Sequence, residues 1–200
     1  MSEFYTGYNY FNGDDINGDC SILESILEQV EFYSGTERKK MLHVNQKIGG
    51  SMLYGLTWRA FLKRDKKTGE IITRKKDLAT GLYYTKIMTD YPDLQQVFYE
   101  FGQLYFPDFE FNQVQMNKNF KCPPHKDSQN VGESILISIG NFKDGNTCIE
   151  KNPIAGPVIV NSHNQPIKFN GSKYTHWVEP WLGGDRYSLV FFNRFKKKLM

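Results

Sequence analysis

From residue 109 onward the chain falls into short strand-like runs in which apolar and polar positions largely alternate, separated by Asn, Gly, Asp and Pro. FEFNQVQMN (109–117), ESILISIGNF (133–142), NTCIEK (146–151), GPVIVNS (156–162), QPIKFNG (165–171), YTHWVEP (174–180) and DRYSLVFFNRF (185–195) all have this form. A period of two predicts strands, and so many at close spacing predict an antiparallel sandwich or barrel. The earlier residues have a different period. In CSILESILEQVEFYS (20–34), Ile22, Leu23, Ile26, Leu27 and Val30 recur at helical spacing with Gly35 as a stop. A second helix is expected from about Pro92 to Tyr105, with Asp90 or Asp93 at its start and Pro107 beyond its end.

Residues 1–19 are expected to be irregular. In VNQKIGGSMLYGLTWRAFL (44–62), Gly49, Gly50 and Gly55 interrupt the apolar pattern, and neither period wins. The class expected is therefore α+β, mainly β. Residues 1–108 would supply helices and substrate contacts integral to the fold, 109–195 the catalytic β core, and 196–200 a basic tail.

Composition narrows this further. A chain of 200 residues suits one core, and its 15 Phe and 12 Tyr favour strands over a helical bundle. Cys20, Cys122 and Cys148 are odd in number and lack C-x-x-C spacing, which argues against a disulfide framework or zinc ribbon and for a reducing compartment. No signal-peptide order and no long apolar run is seen, so a soluble intracellular protein is expected, with no membrane and no obligate protein partner. The net charge of +3 is unevenly spread: KRDKKTGEIITRKK (63–76) sets Lys63, Arg64, Lys66, Lys67, Arg74, Lys75 and Lys76 against Asp65 and Glu70. With Thr68-Gly69 at its tip, this segment is expected to be an exposed hairpin that contacts phosphates or is simply solvated.

The chemistry concentrates in KCPPHKD (121–127). Pro123 and Pro124 favour extended backbone, in which His125 and Asp127, two apart, point to one side and present a nitrogen and a carboxylate to one point. Of the other histidines, His43 precedes the β region, His163 sits in a polar turn, and His176 stands on the strand YTHWVEP. His125, Asp127 and His176 together would form a facial triad with open coordination positions. Arg186 follows His176 by ten residues. On a neighbouring antiparallel strand joined through the turn PWLGGD, it would lie beside the metal and grip a carboxylate, with Ser188 on the same face. The implied ligand is a dicarboxylate. Trp177, Trp181, Phe120, Tyr187 and Cys122 are expected to pack rather than to bind.

The order H-x-D, His, Arg-x-Ser resembles that of the Fe(II)/2-oxoglutarate-dependent dioxygenases over about residues 109–195. HKDSQNVGESILISIGNF and GGDRYSLVFF bring the resemblance nearest to the TET/JBP branch, which oxidises 5-methylpyrimidines in nucleic acid. The resemblance implies a double-stranded β-helix (jelly-roll) core with N-terminal helices packed outside. It also implies Fe(II) on His125, Asp127 and His176, and 2-oxoglutarate and O₂ as cosubstrates, with the distal carboxylate on Arg186 and Ser188. Asn117 or Gln115, on one face of the strand entering the metal loop, would bond the metal-bound end of the cosubstrate. Where a glycine pair is expected after the strand, the chain has Asp144-Gly145-Asn146. Nucleic acid, DNA first, is the substrate so implied. A protein side-chain hydroxylase of the prolyl type and a non-enzymatic jelly-roll binding module are the alternatives.

Overall fold

The computed structural model describes residues 9–33, 49–58, 63–64 and 67–194. The elements are α1 (Ile16–Glu28), β1 (Gly50–Thr57), β2 (Lys63–Arg64), β3 (Ile71–Ile72), β4 (Tyr83–Tyr84), α2 (Lys86–Asp90) and α3 (Leu94–Tyr105), followed by β5 (Gln113–Lys118), β6 (Ser134–Ile139) and β7 (Phe142–Asp144). Then come β8 (Thr147–Asn152), β9 (Gly156–Val160), β10 (Ile167–Phe169), β11 (Thr175–Val178), β12 (Trp181–Gly183) and β13 (Tyr187–Phe192). His43, Lys66 and the tail 196–200 lie outside the described residues, as do the side chains of Lys63 and Arg64.

The major sheet has the order β10-β6-β13-β5-β1-β4. Opposite it stand β11-β8-β9 and the pair β12-β7. β7 and β8 lie on either side of Gly145, and β11 and β12 on either side of Pro180. Gly145 N–H donates to the Pro180 carbonyl and Glu179 N–H to that of Asn146, so these two bent strands stay paired through the break. The fold is a double-stranded β-helix, mainly β, with helices against the outer face of the major sheet.

Alternation along the major strands explains the two faces. On β13, Tyr187, Leu189 and Phe191 are wholly buried in the large cluster shared with Leu23 of α1 and Phe98 and Phe101 of α3. Phe98 meets Phe191 edge-on at 6.0 Å and Tyr54 at 5.3 Å. Each such side chain contributes about 1.5–3 kcal/mol through burial. The intervening residues face the minor sheet, where Leu136, Ile149, Ile167 and Phe169 form a smaller core. Polar residues share that inner face: Ser51, Asn117, Ser188 and Ser138 align across β1, β5, β13 and β6.

Four expectations change. Residues 50–57 form β1, paired with β5 over six residues and next to the short edge strand β4 in the major sheet. α1 starts at Ile16 rather than at Cys20, because the Asp15 carboxylate caps the Asn17 and Gly18 amides, and it ends at Glu28. Only residues 9–15 of the described N-terminal stretch are therefore irregular. The segment PWLGGD is no simple turn: it holds β12, and β11 and β13 lie in opposite sheets rather than side by side. Among the described residues no helix is long and apolar enough to cross a membrane.

Candidate metal centre and its cavity

The chain between β5 and β6 runs antiparallel beside β11 as it passes the metal motif. His125 N–H donates to the His176 carbonyl at 3.1 Å and His176 N–H to that of His125 at 3.0 Å. The paired backbones hold the two rings 4.3 Å apart. Asp127 N–H donates to the Gly171 carbonyl at 2.9 Å, which brings its carboxylate alongside: Oδ1 lies 3.7 Å from His125 Nε2 and Oδ2 lies 3.5 Å from His176 Nε2. One ligand atom from each residue falls within 4.8 Å of the others.

The imidazole tautomers follow from their partners. His125 Nδ1 lies 2.7 Å from the Pro123 carbonyl, and His176 Nδ1 lies 3.0 Å from that of Tyr174. A carbonyl only accepts, so each Nδ1 carries the proton and each Nε2 lone pair is left for a ligand. Two such nitrogens and one carboxylate oxygen fit a divalent cation such as Fe(II), with the outer carbonyls fixing ring orientation. Gly171 presses against this group: a Cβ there would lie 3.2 Å from Asp127 Oδ2 and 3.3 Å from His176 Cε1.

All three residues line a cavity of about 450 Å³ between the sheets, together with Gln115, Asn117 and Ser188. Asn117 Nδ2 donates to the Ser188 hydroxyl at 3.3 Å. Arg186 lies two residues before Ser188, immediately ahead of β13, and is 2% exposed. Its Cζ sits 5.3 Å from the Phe142 ring and 5.5 Å from that of Trp181. Nη2 donates to the Gly145 carbonyl at 3.2 Å, Nε has no partner, and among the described residues no carboxylate pairs with the guanidinium. Burial pulls it down to about 10, while nearby Cys122 favours its charged form. A buried cation without a counterion fits an anionic ligand.

Two residues prominent here carried no individual role in the sequence. Gly145, at φ +68, leaves room for the arginine, since a Cβ there would lie 3.2 Å from Arg186 Nε. Asn119, also at positive φ, clips the backbone: Arg186 N–H donates to its Oδ1 at 2.9 Å, and its own N–H donates to the Arg186 carbonyl at 2.8 Å. Asn119 Nδ2 donates to Asp185, which is also bonded by Lys118 at 2.7 Å. Burial alone would raise the Asp185 carboxyl, but these two bonds outweigh it and hold the group below the usual carboxylate range. Asp185 thus pairs with Lys118 and Glu179 bonds to Asn146, which leaves Arg186 to neither.

The other candidates separate. His163 is remote from the triad; its Nε2 lies 3.0 Å from the Gly140 carbonyl and its ring stacks on Phe142. Trp181 and Tyr187 are buried away from the cavity, whereas Phe120, itself buried, lines it together with Trp177 and Cys122. β2 and β3 pair as the expected hairpin. Lys67, Lys75 and Lys76 are exposed and Arg74 is half-buried, and none of the four lines the cavity. Lys75 and Lys76 lie over the rings of Tyr84 and Tyr83 at 5.2 and 5.9 Å.

No protein family model matches the sequence, and no curated protein matches it. Among solved structures, an oxidoreductase of the 2OG-Fe(II) oxygenase family from Burkholderia pseudomallei is similar at 12% identity and a TM-score of 0.50, over 96% of this chain and 84% of that one. NgTET1 in complex with 5mC DNA is similar at 17% identity and a TM-score of 0.48, over 92% and 69%. A Pseudomonas putida prolyl-4-hydroxylase is similar at 12% identity and a TM-score of 0.42, over 92% and 88%. What the chain shares with the Burkholderia protein is its fold, the double-stranded β-helix with a jelly-roll core.

Proposed function

We propose that this protein is an Fe(II)- and 2-oxoglutarate-dependent dioxygenase that hydroxylates the 5-methyl group of a pyrimidine, 5-methylcytosine or thymine, in nucleic acid. The observation that carries the reading is the buried, uncompensated Arg186 on the inner face that also bears a cavity with His125, Asp127 and His176 in its wall. His125 and His176 offer neutral Nε2 atoms, and Asp127 offers a carboxylate that offsets part of the metal charge. Arg186 and Ser188 hold the distal carboxylate of 2-oxoglutarate, and Asn117 donates toward its metal-bound end. When bound, Fe(II) supplies the oxidising chemistry, consuming 2-oxoglutarate and O₂ and releasing succinate and CO₂.

The nucleic-acid substrate is supported by the exposed lysines of the hairpin and by Lys126 and Arg194, cations in the cavity lining. Hairpin lysines on phosphates would make binding fall with salt, more steeply for each phosphate neutralised. A base in a duplex must leave the stack to reach the metal, at a cost of about a few kcal/mol.

The test is mass spectrometry of nucleosides from methylated DNA incubated with the protein, Fe(II), ascorbate and 2-oxoglutarate. Hydroxymethylcytosine or hydroxymethyluracil is expected from the wild type and not from Asp127→Ala. Succinate without any altered base defeats the nucleic-acid substrate and turns the search to protein side chains. Neither product defeats the enzyme reading.

A further inference from the structure

We infer that Gln115 contacts the substrate rather than the cosubstrate, and that it selects a base bearing an amino group beside the methyl, 5-methylcytosine over thymine. This rests on the reading of the site as a nucleic-acid dioxygenase. Gln115 Nε2 donates to the Met52 carbonyl at 2.7 Å and to the Ser51 hydroxyl at 3.0 Å. The carbonyl only accepts, so the amide orientation is determined, and both its hydrogens are committed to β1. Oε1 is left over in a side chain that lines the same cavity as the triad, and among the described residues no donor meets it.

That polarity separates Gln115 from its neighbours. Arg186, Ser188 and the Asn117 amide offer donors, which suit a dicarboxylate. A 2-oxoglutarate dianion presents only acceptors and is repelled by the Gln115 Oε1 lone pairs. Two residues along β5 from Asn117, the lining therefore turns from donating to accepting, and an accepting group calls for a substrate N–H.

Cytosine carries its N4 amino donors on the ring atom next to the 5-methyl group, whereas thymine has the O4 acceptor there. Facing Oε1, O4 would lose its water and gain no donor. The amide cannot flip to supply one without losing its bond to the Met52 carbonyl and setting Oε1 against that acceptor. Thymine's N3–H lies one ring position farther from the methyl, so presenting it to Oε1 moves the methyl away from the reacting position. Sites that bond a substrate N–H discriminate strongly against an analogue lacking it, and one bond of this kind is expected to give about 100-fold here.

The experiment measures kcat/KM for two oligonucleotides identical except for one 5-methylcytosine or thymine, with the full chain and with Gln115→Met, and the KM for 2-oxoglutarate in parallel. The wild type is expected to prefer 5-methylcytosine by about 100-fold, and Gln115→Met to reduce that ratio below about 10-fold, with the 2-oxoglutarate KM within about 2-fold. Equal wild-type rates on the two bases overturn the inference alone, and they decide it even if Gln115→Met does not fold. An unchanged ratio in the variant, or a raised 2-oxoglutarate KM in its place, also overturns it. Succinate with neither base altered defeats the nucleic-acid reading, and this inference with it.

Discussion

Arg186→Met separates what the arginine does for a ligand from what it does for the fold. Two charge-assisted hydrogen bonds to a carboxylate are worth about 1.5–3 kcal/mol each, so their loss should raise the 2-oxoglutarate KM by about 10² to 10⁴-fold. The ligand-free protein should respond quite differently. Lowering the guanidinium to about 10 from its ordinary range corresponds, at about 1.36 kcal/mol per unit, to a burial cost of about 3 kcal/mol. The unfolded arginine holds its proton to higher pH, so stability rises with pH only above about 10, and at neutral pH the full cost is present. Against it stand one hydrogen bond to Gly145, about 1 kcal/mol, and two ring faces at about 0.5–2 kcal/mol each. These terms nearly cancel, and methionine fills the slot between Phe142 and Trp181. Thermal unfolding without ligand should leave Tm within about 4 °C of the wild type. With a divalent metal present, saturating 2-oxoglutarate should raise the wild-type Tm and leave that of the variant unmoved. Removing half of a buried ion pair costs about 3–5 kcal/mol because the partner is orphaned. A fall in Tm of that size in the ligand-free variant would refute the reasoning, since the arginine would then have a structural counterion.

Asp127→Ala should abolish hydroxylated product and lower metal bound in equilibrium dialysis, while leaving the fold intact by circular dichroism, because the carboxylate is about one-third exposed. Gly171→Ala places a methyl against Asp127 and His176, and a weakening of metal affinity by about 10-fold is expected in the same dialysis; unchanged affinity would mean that the ligands shift freely. Asp185 stays ionised below the usual carboxylate range in the folded state, so it contributes stability above that range that is lost as pH falls through its folded value. Asp185→Asn should therefore flatten the acid limb of the Tm-versus-pH curve; an unchanged limb would remove Asp185 as its cause.

The strands of the second half were legible because their two faces have different neighbours. Tyr187, Leu189 and Phe191 turn to the helices while Arg186 and Ser188 turn inward, so the pattern of sides is written into β13 itself. β1 was hidden by glycines with steric reasons of their own. Gly50 sits hard against the Tyr33 backbone, and Gly55, at φ +126, lies over the Asn112 carbonyl. The triad was visible because i and i+2 geometry is local, and His176 was the strand histidine that remained. Which sheet a strand joins is not local, so β11 and β13 were expected side by side when they belong to different sheets. The orientation of the Gln115 amide depends on β1, and no reading of β5 alone reveals it.

β13 follows every other described strand in the chain, yet it occupies the middle of the major sheet and pairs with both β5 and β6. Until it arrives, those two strands have no partner for their facing edges, and Arg186 has not reached its place between Phe142 and Trp181. Pairings across so many intervening residues form slowly, because the loop must close before any contact rewards it. Assembly of the sheet and completion of the ligand cavity are therefore one late event, and folding intermediates that lack β13 carry open β edges prone to aggregation.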